Sequence, residues 1–441
     1  MPLSASILPA SPVLAPARKS SAQTVAAAQG SGSGSTSVSR LASGSSSSTL
    51  SASNSGAAPR AQRKLSSAST ATVRGTDAKD KDKDKDGKGS GSGGGAEKLP
   101  YTKRSVPQLH KHNAESAPPT LMYWSRAPTW GTVPARNIRA HTATMVDHVA
   151  WFFGGCDEKE CFRDVWCLDT ETMEWTHPTM LGDIPDRCRA HTATLVDRKI
   201  VIFGGGAGHV YYNDLFVLDT STRRWHRPTI PKDSPQPTPR RAHAAVLHRN
   251  RLIVFGGGNG TKALNDVWAL DVSGPMEEWS WSEVRTHGKK PSPRGYHTAN
   301  LVGDVMVIAG GSDGKASYHD IWCLNLDSNT WSAVSTDRTY RRLAHTSTQV
   351  GSYLFLMGGH DGGKYVNDLL LFNLVSLQYE ARPTRGRTPT QRGYHTTVLA
   401  DGRLFVFGGF NGHEVFDDCY ILDLAGAAYL PQVTSFSINV E

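Results

Sequence analysis

Six Gly-Gly doublets recur along the chain, at Gly154/Gly155, Gly204/Gly205, Gly256/Gly257, Gly310/Gly311, Gly358/Gly359 and Gly408/Gly409, with successive spacings of 50, 52, 54, 48 and 50 residues. A histidine opens each unit in the same register, at His141, His191, His243, His297, His345 and His395. An aspartate follows each doublet, at Asp164, Asp214, Asp266, Asp320, Asp368 and Asp418. A period of about 50 residues with several short apolar runs per unit fits a propeller blade and does not fit a helical solenoid.

The segments before the doublets, such as VAWFF, IVIF and LIVF, are apolar throughout, as are those after the aspartates, such as VWCLD, LFVLD and VWALD. A strand with one wet face alternates with period two, so these runs are strands covered on both faces. With no helical segments to cover them, the sheets must cover one another, and six sheets packed face to face around an axis achieve this for every unit. The expected fold is therefore all-β, a six-bladed β-propeller of four-stranded antiparallel blades.

In each blade the first strand follows the histidine, the second ends at the doublet and the third starts at the aspartate. The fourth is centred on Trp124, Trp175, Trp225, Trp281, Trp331 or Tyr379. Trp124 precedes the first unit, so its segment is expected to complete the last blade and close the ring. Tyr429 competes for that place, but WSRAPTWGTVPAR around Trp124 resembles the other fourth-strand segments and the sequence around Tyr429 does not.

Composition sets the boundaries. Residues 1–118 are rich in Ser, Ala, Gly and Lys and contain the run KDKDKDKDGK, which cannot bury enough apolar area to offset chain entropy. We read 1–118 as a disordered low-complexity tail, 119–430 as the propeller and 431–441 as a C-terminal extension. The tail holds 16 of the 48 Lys/Arg and 7 of the 40 Asp/Glu, leaving 32 basic against 33 acidic side chains elsewhere. The net charge of +8 thus belongs to the tail. A solvated localisation or regulatory segment is preferred over a nucleic-acid binder, and no nucleic-acid partner is expected. No apolar stretch reaches the length of a membrane span. A monomeric, cytoplasmic protein is expected.

The units built on HTATLVDRKIVIFGG followed by NDLFVLDTSTRRW resemble kelch repeats, and the array resembles a six-bladed kelch propeller over about residues 119–430. The style, with HTAT and a Pro-rich linker between blades, is similar to fungal kelch proteins of cell polarity and Ras/Rho signalling. The resemblance implies a non-enzymatic interaction scaffold. A ubiquitin-ligase substrate adaptor is an alternative within the same resemblance. The catalytic domain of galactose oxidase also resembles kelch blades, and supplies the rival enzyme reading: a copper radical oxidase needing a Tyr–Cys link and two His ligands.

Arginine accompanies each histidine, at Arg139, Arg189, Arg241, Arg294, Arg342 and Arg392. Six equivalent Arg/His/Asp sets read as architecture, because an active site has one residue in each role. Cys167, Cys323 and Cys419 fall at core positions of third strands, Cys188 has no evident partner, and Cys156 and Cys161 share one loop, where a redox bridge or half a metal site is conceivable. No cofactor and no metal are expected. In a four-stranded meander the loops joining strands two and three emerge on the same face as the linkers between blades. The six linkers carry an excess of 14 basic side chains, eight once those six arginines are set aside. On this face we expect an acidic or phosphorylated protein segment to bind, through Lys232, Lys262, Lys289, Lys290, Arg338, Arg385 and Arg387, with Tyr211, Tyr212, Tyr318, Tyr365 and Phe410 as aromatic anchors.

Overall fold

The computed structural model describes residues 121–424 apart from Ala135 and Lys232, together with Ile438. The expectations for residues 1–118, for Tyr429, for the rest of 431–441 and for Lys232 lie outside the described residues. Blade one consists of Thr142–Val146, Val149–Phe153, Val165–Asp169 and Glu174–Thr176, paired antiparallel in that order. The succession repeats from first strands Thr192–Val196, Ala244–His248, Thr298–Val302, Thr346–Val350 and Thr396–Ala400. Successive first strands lie against one another all the way round, that of blade six against that of blade one, so they line the axis of a closed six-bladed ring.

The segment around Trp124 closes the ring. Met122–Arg126 pairs antiparallel with Cys419–Asp423, Trp124 opposite Leu422, and so supplies the fourth strand of blade six. The first and last strands of the described residues are thereby locked into one sheet.

The fully apolar runs are explained by their neighbours. Phe153 of blade one packs on Trp225 of blade two at 4.9 Å, Phe203 on Trp281 at 4.7 Å, Phe255 on Trp331 at 5.0 Å and Phe407 of blade six on Trp175 at 4.9 Å. Each second strand thus receives the fourth-strand tryptophan of the next blade, and the four tryptophans are at most 3 % exposed. Blade four ends its second strand in Ala309, and the facing residue in blade five is Tyr379. There Tyr340, from the linker, meets Tyr379 edge to face at 4.8 Å and fills the space.

Three sheets gain a fifth, very short strand that the four-stranded expectation did not include. Trp130–Gly131, Leu181–Gly182 and Thr384–Gly386, all from the linkers, run parallel to the outer edges of blades one, two and six. Each contains a glycine at positive φ, and at Gly131 (φ 86) a Cβ would stand 2.5 Å from the Trp175 carbonyl oxygen. The glycine is needed because the linker backbone lies directly against the edge it protects.

Candidate functional site

The long loops between strands two and three and the linkers between blades share one face, and its centre is built from the residues just ahead of each histidine. Ala140, Ala190, Ala242, Tyr296, Ala344 and Tyr394 precede the six histidines, all with φ between 54 and 58. That conformation turns each amide onto the carbonyl of the preceding blade. The six backbone bonds, from Ala190 N to Ala140 O round to Ala140 N to Tyr394 O, are 2.8–2.9 Å long and form a closed circuit about the axis.

Below this circuit the histidines link the blades a second time. His191 Nε2 meets Thr142 Oγ1 at 2.8 Å, His243 meets Thr192 at 2.9 Å, His345 meets Thr298 at 3.1 Å, His395 meets Thr346 at 3.2 Å and His141 meets Thr396 at 2.9 Å. The sixth link is missing because blade three carries Ala244 in place of threonine, and among the described residues His297 Nε2 has no hydrogen-bond partner. Burial pushes His141, His191, His297, His345 and His395 down to about 3 and His243 well below its usual value, so all six rings are neutral. Their repeated role is structural.

The arginines fall into two classes, which corrects the single set of six. Arg240, Arg294, Arg342 and Arg392 stand three residues before their histidines and are buried. Arg294 Nη1 donates to the Gly310 carbonyl at 2.9 Å and to Asp320 Oδ1 at 2.7 Å, while Nη2 donates to Oδ2 at 2.9 Å. Arg240 and Arg392 repeat this with Gly256/Asp266 and Gly408/Asp418, and Arg342 pairs with Asp368. Burial opposes ionisation of Asp266 and Asp320, but the arginine's hydrogen bonds and charge prevail and hold both below the ordinary carboxylate value. Blades one and two have Ile138 and Cys188 at this position.

Arg139, Arg189 and Arg241 stand two residues before their histidines, at the inner rim. Each leans onto the preceding blade. The Arg139 guanidinium lies 4.3 Å from the centre of the Phe410 ring, Arg189 Nη1 donates to Cys156 Sγ at 3.4 Å, and Arg241 lies 4.4 Å from the centre of the Tyr211 ring and donates to the Gly208 carbonyl. Among the described residues no carboxylate pairs with any of the three. The matching positions of blades four to six are Gly295, Leu343 and Gly393. One half of the mouth is therefore cationic. Tyr365 leans toward Gly393, 3.1 Å from where its Cβ would be, and Tyr296 meets Tyr394 edge to face at 5.6 Å, so the other half is aromatic.

The residues expected from sequence divide accordingly. Tyr211, Tyr365 and Phe410 belong to the mouth. Tyr318 is stacked under the Arg294 guanidinium at 4.3 Å, and Tyr212 packs against the core between blades one and two. Lys262 is exposed on a loop between strands two and three, and Lys289, Lys290, Arg338, Arg385 and Arg387 are exposed on the linkers, Arg385 within the short parallel strand Thr384–Gly386 at the outer edge of blade six. Sequence reasoning set Arg139, Arg189 and Arg241 aside as structural; the Arg-Arg pair at Arg240/Arg241, which fills both positions at once, was the available signal.

Two cavities open where the buried arginine is absent. In blade one a cavity of about 390 Å³ is bounded by Ile138, Phe162, Asp164, Trp166 and His177, with Arg136, Arg163, Arg187 and Glu160 around it. In blade two a cavity of about 60 Å³ lies beside Cys188 and Asp214. There Arg227 reaches Asp214 at 2.5 Å from outside.

Cys167, Cys188, Cys323 and Cys419 are buried thiols, the first, third and fourth in third strands as expected. Cys156 and Cys161 face each other across the hairpin of their loop as free thiols. Hydrogen bonding from Cys161, then the nearby arginines, lower Cys156 to about 6 against its burial. His248 and Asp304, at first-to-second-strand turns, group with Asp327 of a third-to-fourth-strand turn, but Arg249 already occupies both carboxylates, at 3.2 and 3.0 Å. Among the described residues no helix is long and apolar enough to cross a membrane.

Comparison with known proteins gives two family matches: residues 138–331 to the FBX42 beta-propeller domain, and residues 333–435 to the KLHDC2/KLHL20/DRC7 Kelch-repeats domain. Acyl-CoA-binding domain-containing protein 4 of Arabidopsis thaliana is 28 % identical over 220 residues, which is 49 % of this chain and 24 % of the relative. Host cell factor 2 of Homo sapiens is 36 % identical over 121 residues, 23 % of this chain and 15 % of the relative. Host cell factor 1 of Rattus norvegicus is 31 % identical over 121 residues, 23 % of this chain and 6 % of the relative. The chain spans about a quarter or less of the relatives it matches.

Proposed function

Because the chain belongs to the kelch-repeat propellers, a class of interaction modules, we propose that it is a non-enzymatic protein-interaction scaffold or adaptor whose loop face binds an acidic or phosphorylated segment of a partner protein. The observation that carries this reading is the half-ring of Arg139, Arg189 and Arg241 on consecutive blades, free of carboxylate partners among the described residues and bordered by Tyr211, Tyr365 and Phe410. Guanidinium groups already held by rings and carbonyls are pre-organised, so a carboxylate or phosphate gains bidentate bonds with little ordering cost. Exposed Lys262, Lys289, Lys290, Arg338, Arg385 and Arg387 would steer an acidic segment toward the mouth and add less to its residence. The pathway that fits the sequence resemblance is cell polarity or small-GTPase signalling.

The test is affinity purification with mass spectrometry from cells carrying three forms of the full chain: wild type, an Arg139→Ser/Arg189→Ser/Arg241→Ser variant, and a Lys289→Glu/Lys290→Glu/Arg385→Glu/Arg387→Glu variant. The central variant should lose the acidic partner, and the outer variant should recover less of it at physiological salt. Undiminished recovery by both variants, each with wild-type melting behaviour, would rule out the charged-face reading.

A further inference from the structure

Blades three to six show what the space three residues before the histidine is built to hold. In blade four the Arg294 guanidinium sits between the Gly310 carbonyl, both oxygens of Asp320 and the face of Tyr318, and Trp322 Nε1 donates to Asp320 Oδ2 at 2.6 Å. In blade six Arg392 repeats the arrangement, with Phe416 4.1 Å below its guanidinium. Blade one keeps every wall of this enclosure in register: Gly154 for the carbonyl, Asp164 for the carboxylate, Phe162 for the ring and Trp166 for the indole. It lacks the arginine, since Ile138 stands there, and the cavity of about 390 Å³ is the result.

Blade two shows how the same loss is repaired from within. Cys188 replaces the arginine there, and Arg227, two residues after the fourth-strand tryptophan, reaches Asp214 and lies 5.4 Å from the Phe216 ring. Blade one has His177 at the position of Arg227. Its ring stacks on Trp166 at 4.1 Å and its Nε2 stays 3.6 Å from Asp164, beyond hydrogen-bond length. Arg136 passes 5.1 Å from the Phe162 ring but turns outward to Glu160, which Arg187 also holds.

We propose that blade one carries an open guanidinium cage, walled by Phe162, Asp164 and Trp166, which receives an arginine side chain from a bound protein segment. This site is separate from the central mouth, and stands or falls without it. Its lining arginines, Arg136, Arg163 and Arg187, outnumber Glu160 and Asp164 by one. Net charge therefore does not draw a cation in; the planar fork of hydrogen bonds and the ring face select guanidinium over ammonium. Acidic residues beside the entering arginine would meet the surrounding arginines, so an arginine in an acidic context fits best.

The experiment titrates the full chain with L-argininamide, following Trp166 through one-dimensional indole NMR, with lysinamide and citrullinamide as controls. Saturable binding of argininamide at millimolar concentration is expected, about tenfold weaker for both controls and for the Asp164→Asn variant. Ile138→Arg, which installs the side chain of blades three to six, should abolish probe binding and raise the melting temperature. His177→Arg, which copies blade two, should abolish binding as well and keeps the test decisive if Ile138→Arg does not fold. Equal response to argininamide and lysinamide, or unchanged argininamide binding in both arginine variants, would overturn the proposal.

Discussion

Among the internal partners in the ring, a single methyl group breaks the threonine–histidine series. Ala244 faces His297, whose Nε2 is buried without a partner, while the other five histidines meet a threonine hydroxyl. An unmade bond of this kind costs more than a made one contributes, so Ala244→Thr should stabilise the domain by about 1 kcal/mol and raise its melting temperature by roughly 2 °C. Thr192→Ala, which orphans His243, should lower it by a comparable amount; calorimetry on the pair would decide, and no change in either would deny the series an energetic role. The buried arginines carry larger stakes. Arg294→Met leaves Asp320 and the Gly310 carbonyl unpaired and should cost roughly 3–5 kcal/mol, visible as a lowered urea midpoint. The histidines and aspartates were readable from their spacing alone. The arginines were not, because two neighbouring positions both accept arginine and fill differently from blade to blade. Register within three residues decides whether a guanidinium is interred beside an aspartate or stands at the mouth.

The strands were legible because continuous apolar runs have one physical explanation when no helix is available, and Trp124 was legible as the closing strand because it had a tryptophan's place without a preceding blade. The parallel fifth strands were not. WG, LG and TRG are too short to show a period, and only contact with a neighbouring edge defines them. Closure itself makes a strong prediction. Trp124 is 2 % exposed and packs in a cluster that includes Tyr353, Met357 and Leu422, so Trp124→Ala should cost about 3–5 kcal/mol. Deleting residues 119–130 removes the strand paired with Cys419–Asp423 and exposes an apolar edge. The melting temperature of the entire domain, not of one blade, should then fall, because each blade is covered by its neighbours. A deletion that melted like wild type would mean that the ring is not held by this strand.

The closed ring also makes the stability of the domain sensitive to acid through all six blades at once. Six histidines are sealed between blades, against Phe153, Phe203, Phe255 and other core rings, and among the described residues none of them pairs with a carboxylate. Five of them are depressed to about 3 and His243 lies well below its ordinary value, against about 6.5 in an unfolded chain. The unfolded state therefore binds more protons below about pH 6.5. Stability is fully present above that pH and is lost as pH falls toward the folded values, by about 1.4 kcal/mol per histidine per pH unit. With six rings the slope is roughly 8 kcal/mol per unit, comparable with the whole stability of a domain. Carboxylates such as Asp266 and Asp320, also depressed, extend the loss at lower pH, whereas between about pH 6.5 and 5 the histidines dominate. Urea unfolding at pH 7.5 and pH 5.5 should therefore show a steep drop in midpoint with little change in its denaturant slope, and proton uptake on unfolding should approach six. Because the rings sit in one continuous layer, the loss should be cooperative across blades. A midpoint that did not move between the two pH values would show that the histidines are not held neutral in the folded ring.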